Sequence, residues 1–327
     1  MRQINKKTCN FFDANASPVA VHMPNRRQEV ISQQASKVIF LHIHKTAGMS
    51  LRGLFVKNYR GVPHFNTELK ELSEEGWQKC LERIGRMPAD DLERCRVFKG
   101  HMPFGLHKIL PGQAEYITFL RDPVKRVISH YRMQCRKKVL PLDLVIDPSQ
   151  KDWNLGKHPI FFRSLDNGQT RSIAGADLNL PFGACTEKHL HQAKSNLDRH
   201  FKFVGLTEQF DLSLLLLKRL CGWHWHFYVP DNRAADDSIC FSPAVLKEIR
   251  DLNRFDYELY RYAQERFERL VDSYGLSLKT ELALFRSGNY LHQSLHIWRH
   301  RIKRRLGVER RKAMISDLSV KDRNLGK

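Results

Sequence analysis

Lys45, Thr46, Gly48 and Ser50 stand close together where the apolar run VIFLHI (38–43) turns into a helical pattern. A strand that ends in a cation, hydroxyls and a glycine just ahead of a helix gathers donors around one point. The helix N-terminus adds unpaired N–H groups and a partial positive charge, a setting that fits a phosphate. The usual nucleotide-binding loop reads G-x-x-x-x-G-K-[ST], with its lysine late and its hydroxyl on Mg²⁺. Here Lys45 comes first, Gly48 follows, and Ser50 closes the turn. The chemistry is anion binding, and the order of the residues narrows the kind of phosphate donor.

A second group matches the first. In YITFLRDPVKRVISHY (116–131) an apolar strand ends at Arg121 and Asp122, and Pro123 occupies a favourable helix start. Asp122 suits the N-cap. Arg121 falls at the carboxyl end of a strand, where open α/β sheets gather ligands. Ser129 follows on the helix. An Arg and a Ser held this way suit a second phosphate, the Arg through charge-assisted hydrogen bonds. Two phosphate sites on neighbouring strand ends point to a nucleotide phosphorylated at two places.

The elements that must position these residues are legible from periodicity. Strands are expected at 38–43, 96–98, 116–120 and 201–205, and helices at 50–58, 123–137, 186–197 and 208–221. Such alternation implies an α/β fold with a P-loop-like, mostly parallel sheet flanked by helices on both faces, in a single large domain. Residues 242–274 read as one helix whose apolar stripe belongs to the core. Residues 143–156 read as a long polar loop or lid. Residues 1–36 are expected to be a poorly ordered arm, 37–285 the catalytic domain, and 286–327 a basic amphipathic helix and tail. In that last segment Leu291, Leu295, Trp298, Ile302 and Leu306 trace one face, and Arg299, Arg301, Lys303, Arg304 and Arg305 crowd the rest.

Composition limits the partners. The 327 residues carry 55 Lys+Arg against 35 Asp+Glu, a formal charge of +20 that attracts polyanions or a multiply charged nucleotide. Seven cysteines, an odd number without a C-x-x-C pair, argue for reduced thiols. No run approaches the roughly 20 apolar residues that span a bilayer. The basic N-terminus lacks an apolar signal core, so a cytoplasmic location is expected, or a membrane-peripheral one through the C-terminal basic helix. The pairs His189/His191 and His224/His226 lack further ligands at characteristic spacing, and no metal is expected.

The paired motifs resemble those of sulfotransferases that use 3′-phosphoadenosine 5′-phosphosulfate (PAPS). HIHKTAGMS (42–50) resembles the H-I-P-K-T-G-G-T-S of the carbohydrate branch that includes heparan sulfate 2-O- and 6-O-sulfotransferases. FLRDPVKRVISHY resembles its F-L-R-D-P-V-x-R-x-x-S-x-Y. VFKGHMPFGLH (97–107), DNGQTRSIAG (166–175) and FVGLTEQFDLSLLLL (203–217) extend the similarity in the same order. The resemblance implies transfer of a sulfuryl group from PAPS to a carbohydrate hydroxyl. His101, in a G-H context like that of the family's catalytic histidine, is the expected general base. Lys45 would contact the 5′-phosphosulfate and stabilise charge on the leaving phosphate. Thr46, Ala47, Gly48, Met49 and Ser50 would supply loop donors, and Arg121 and Ser129 would hold the 3′-phosphate. Lys99, His107 and Arg171 are acceptor-site candidates, and Arg233 is a candidate to close over the nucleotide. His44 stands where the family string has proline, and Ala47 and Met49 replace a glycine and a threonine, so weaker donor binding is expected.

The residues by themselves leave two other classes open. One is a P-loop kinase or ATPase, which needs a strand-end carboxylate for Mg²⁺; the visible one, Asp122, is assigned to a helix cap. The other is a non-catalytic polyanion-binding protein on a vestigial nucleotide fold, using the basic C-terminal helix on an anionic surface. Nucleic acid is not an expected partner.

Overall fold

Residues 36–67, 73–137, 164–176, 178–224, 227–230 and 241–305 are described by a computed structural model of the chain. Five strands, β1 (Lys37–Leu41), β2 (His64–Asn66), β3 (Val97–Gly100), β4 (Ala114–Leu120) and β5 (Phe201–Leu206), form one sheet in the order β2-β3-β1-β4-β5. Every pairing is parallel. Consecutive residues of β1, Ile39, Phe40 and Leu41, are all buried, so both faces of the sheet are covered. The register sets Phe40 opposite Lys99 on one side and Ile117 on the other.

The order makes a topological switch point. The chain leaves β1 towards β2 on one side and leaves β4 towards β5 on the other, which opens a crevice at the carboxyl ends of β1 and β4. The helix after β1 is α1 (Gly48–Asn58). α2 (Glu74–Gly85) and α3 (Ala89–Arg94) precede β3, and α4 (Pro123–Arg136) follows β4. Asp122 caps α4, its side chain accepting from the Lys125 N–H at 2.9 Å, with Pro123 at the first helical position. Next come α5 (Gly168–Ala174) and α6 (Glu187–His200). A 3₁₀ turn (Thr207–Gln209) leads into α7 (Phe210–Cys221).

The single helix expected over 242–274 is two, α8 (Pro243–Leu252) and α9 (Arg254–Tyr274). The break falls at buried Asn253, whose side-chain amide donates to the carbonyls of Leu165 (2.7 Å) and Ile249 (2.8 Å). The last helix among the described residues, α10 (Leu276–Arg305), is 30 residues long and runs unbroken through the expected boundary at 285/286. Among the described residues no helix is long and apolar enough to cross a membrane. The expected lid at 143–156 and the N-terminal arm lie outside the described residues.

Candidate active site

The turn after β1 is shaped by backbone that side chains rarely adopt. Lys45 and Ala47 have φ of 69° and 62°, and Ala47 is the N-cap of α1 without a side-chain cap bond. The Thr46 hydroxyl donates to the Ile43 carbonyl at 2.9 Å and closes the turn from within. Gly48 is required by its neighbour, because a Cβ there would lie 1.7 Å from the His42 ring. Met49 and Ser50 follow in the first turn of α1. Beside that turn a cavity of about 330 Å³ opens, lined among others by Ser50, Gly53, Lys57, Tyr228, Val229 and His292.

The two sequence motifs meet here. Arg121 donates from Nη1 to the Lys45 carbonyl at 3.2 Å, which leaves Nε without a hydrogen bond. Its backbone is clamped by Gln169, whose Oε1 accepts from the Arg121 N–H (3.0 Å) and whose Nε2 donates to the Arg121 carbonyl (2.9 Å). Glu208 receives the Asp122 N–H (3.2 Å) and the Tyr260 hydroxyl (2.7 Å), with the Arg121 guanidinium 3.9 Å away. Burial, then the positive charges of Arg136, Arg121 and Lys137, lower the pKa of Lys45. Like charges gathered in one crevice are what a polyanionic ligand would relieve. Ser129 is half-buried on α4, and helical spacing sets it on the same side as Arg126, Met133 and Arg136.

His101 follows β3 and turns its Nδ1 to the His42 carbonyl at 2.7 Å. A carbonyl only accepts, so Nδ1 carries the proton and Nε2 is left as the basic atom. Burial lowers the His101 pKa, partly offset by that hydrogen bond, which keeps the ring neutral and able to take a proton. Its ring sits between two others. His42 is stacked on it with centroids 4.2 Å apart, and His44 with centroids 3.7 Å apart. His130 of α4 stacks beyond His44 at 5.4 Å, and Phe40 beyond His42 at 5.5 Å. In the sequence His44 stands out only as a histidine at a proline position. The H-x-H spacing at the strand end and His130 beside Ser129 were visible, but their stacking depends on β3 and α4 arriving alongside.

Lys99 is buried next to this group, and burial, then Arg52, lowers its pKa; no described carboxylate pairs with it. Two expected residues are placed elsewhere. His107 hydrogen-bonds through Nδ1 to the Tyr116 hydroxyl (3.0 Å), in an aromatic group with Phe104 and His200 towards the amino ends of β4 and β5. Arg171 is buried in an ion pair with Asp166, and it donates to the Leu180 carbonyl (2.8 Å) and the Pro181 carbonyl (2.7 Å). Its guanidinium fastens a loop. Arg233 lies outside the described residues. His189 completes the capping box of α6 with Thr186. Among the described residues no group of three or more His, Cys, Asp or Glu is arranged to hold a metal ion.

Comparison with known proteins finds relatives among carbohydrate sulfotransferases. Galactose-3-O-sulfotransferase 3 of Bos taurus is 25% identical over 258 residues, covering 73% of this chain and 58% of the relative. Human heparan-sulfate 6-O-sulfotransferase 3 is 26% identical over 282 residues, covering 71% of this chain and 57% of the relative. Mouse galactosylceramide sulfotransferase is 26% identical over 285 residues, covering 79% and 63%. The chain thus spans a little under three-fifths of the length of the first two. The heparan-sulfate branch named by the motif strings is among the relatives. The family match, however, is to the one described as galactose-3-O-sulfotransferase, over residues 3–297. With that match running across the lysine turn, the Arg121 strand end and the His101 loop alike, the chain belongs to the galactose-3-O-sulfotransferase family.

Proposed function

We propose that this protein transfers a sulfuryl group from PAPS to a hydroxyl of a carbohydrate, and that the 3-hydroxyl of galactose is the first acceptor to test. The observation that carries the reading is the bond from Arg121 to the Lys45 carbonyl. It joins two cationic strand ends into one crevice beside a histidine with its basic nitrogen free. A donor bearing a 5′-phosphosulfate and a 3′-phosphate matches two such sites, whereas ATP has no 3′-phosphate for Arg121. The kinase reading loses its metal carboxylate, because Asp122 is engaged as a helix cap.

In this reading Lys45, the N–H groups of Thr46 to Ser50 and the Ser50 hydroxyl hold the 5′ end, while the Thr46 hydroxyl is spent inside the turn on the Ile43 carbonyl, and Arg121 and Ser129 hold the 3′-phosphate. The nucleoside enters the cavity beside α1, whose volume is at the lower end for ligand sites. The acceptor O–H gives its proton to Nε2 of His101 while its oxygen bonds to sulfur. The bond from sulfur to the bridging phosphate oxygen breaks, and the electron pair leaves on that oxygen, facing Lys45. Lys99 is assigned to the donor or acceptor contact, as the buried lysine with no described carboxylate partner. Arg171 receives no acceptor role, because its guanidinium is engaged by Asp166 and the carbonyls of Leu180 and Pro181, and His107 receives none because its ring is held by Tyr116 towards the amino ends of the strands.

The test is incubation with PAPS and a panel of β-galactosides, galactosylceramide and heparan fragments, reading release of 3′-phosphoadenosine 5′-phosphate. Release with at least one acceptor, and its loss in His101→Ala, is the expected result. No release from any acceptor, together with no binding of PAPS, would overturn the proposal.

A further inference from the structure

α10 has two separable faces. One is packed: Leu278, Phe285 and Asn289 are buried, Phe227 stacks on Phe285 at 5.7 Å, and the Tyr228 N–H donates to Asn289 Oδ1 at 2.9 Å. The other is bare. Leu284, Leu291, Leu295 and Trp298 are 70, 62, 55 and 59% exposed. Steps of seven, four and three residues align them in a single stripe along the helix, about 100° from Phe285 at 3.6 residues per turn. From Ser294 to Arg299 every residue is exposed, and along this stretch Leu295 and Trp298 keep the stripe open to solvent.

Charge decides what covers it. Glu281 is bound by Lys218 (3.2 Å) and Arg219 (2.9 Å), and after it α10 contains no acidic residue. The same stretch holds Arg286, Arg299, Arg301, Lys303, Arg304 and Arg305. Arg286 is answered by Asp211 at 3.3 Å, while Arg299 and Arg301 stand exposed. A second copy of α10 would bring one run of cations against another with no free carboxylate to meet it. An anionic bilayer surface takes both features: the apolar stripe enters the acyl boundary, the tryptophan sits at headgroup level, and the cations meet phosphate.

We propose that the bare stripe of α10, Leu284–Leu291–Leu295–Trp298 with Arg299 and Arg301 beside it, docks the protein flat on an anionic membrane surface. The helix is too polar to span, so it lies in the interface. The inference stands on α10 alone and is independent of the reaction assigned above.

The experiment is co-sedimentation of the full chain with phosphatidylcholine vesicles, with and without phosphatidylserine, at low and high salt. Binding is expected with phosphatidylserine and weakened by salt, and Arg299→Ser/Arg301→Ser is expected to weaken it roughly tenfold or more. Leu291→Ser/Leu295→Ser/Trp298→Ser should abolish it with circular dichroism and melting unchanged, since these side chains are exposed. Three results would each overturn the proposal. They are no binding to phosphatidylserine vesicles, undiminished binding by the triple variant, and lipid-free self-association that the triple variant abolishes.

Discussion

The imidazole of His44 lies parallel to that of His101, 3.7 Å between centroids and 4° between planes. His101 is thereby fixed on three sides, by the His42 carbonyl at Nδ1 and by a ring on each face. Aromatic pairing contributes about 0.5–1.5 kcal/mol beyond burial, which is about two- to tenfold if all of it serves to orient the base. His44→Ala is therefore expected to lower kcat by that factor with the acceptor KM little changed. His44→Phe, which keeps a ring and removes the nitrogens, should recover most of the loss. A phenylalanine variant no better than alanine would refute the positioning role.

The same column makes stability depend on pH. Burial first, then neighbouring positive groups, pushes His42 and His44 well below 6.5 and His130 down to about 3. Above 6.5 these rings are neutral in both folded and unfolded chains. As pH falls below 6.5, the unfolded chain takes up protons that the folded one refuses, so stability declines on acidification until the folded pKa is reached. Each histidine adds a slope of up to about 1.4 kcal/mol per pH unit. Urea midpoints should therefore drop between about pH 7.5 and about pH 5.5, and less steeply in His130→Gln. A midpoint that stays flat across that range would show that the rings titrate normally.

What could be read in advance was local. The strand–turn–helix at Lys45 and the Asp122-Pro123 helix start are written in adjacent residues, and both cradle strands fell where periodicity set them. β2, at His64–Asn66, is too short for alternation to register. The split at Asn253 depends on the Leu165 carbonyl, far away in sequence. Arg171 shows the same limit. Its residue type and neighbourhood suggested a sugar contact, and only the arrival of Asp166 and the 180–181 carbonyls determines that it fastens a loop.

Gly48 ties the turn proposed for the donor to the proposed base, His101. An added Cβ would overlap the His42 ring, and His42 holds His101 through its carbonyl. Gly48→Ala should cost about 1–3 kcal/mol in urea unfolding, the range for overpacking. It should also weaken PAPS binding. A variant with native stability and affinity would mean that the His42 ring moves aside freely.

Arg121 tests the two-phosphate clamp. A hydrogen bond to a charged group contributes about 1.5–3 kcal/mol, roughly ten- to a hundredfold in affinity. Arg121→Ala should weaken 3′-phosphoadenosine 5′-phosphate by that factor and adenosine 5′-phosphosulfate, which lacks the 3′-phosphate, much less. Calorimetric titration of both ligands measures the ratio. Equal losses would place Arg121 at the 5′ end or outside the site.

Behind Arg121 lies a buried pair that sets its position. Asp256, 0% exposed, accepts the N–H groups of Gln169 (3.1 Å) and Thr170 (2.7 Å), and faces the Arg126 guanidinium at 3.5 Å. Asn167 answers from the other direction, its Oδ1 accepting the N–H groups of Phe255 and Asp256, so α5 and α9 cap each other. Gln169, held this way, grips the backbone of Arg121 on both sides. Removing one partner of a buried ion pair leaves the other uncompensated and costs about 3–5 kcal/mol. Asp256→Ala should show that loss in urea unfolding, while Arg126→Met/Asp256→Leu should lose clearly less than the sum of the two single variants. Gln169→Ala keeps the pair intact and leaves Arg121 ungripped, so it should weaken binding of the 3′-phosphorylated nucleotide at a stability cost of about 1–3 kcal/mol, the range for orphaned buried polar groups and below that of Asp256→Ala. A Gln169→Ala protein of native affinity would separate the buried pair from the site and leave it a purely structural contact.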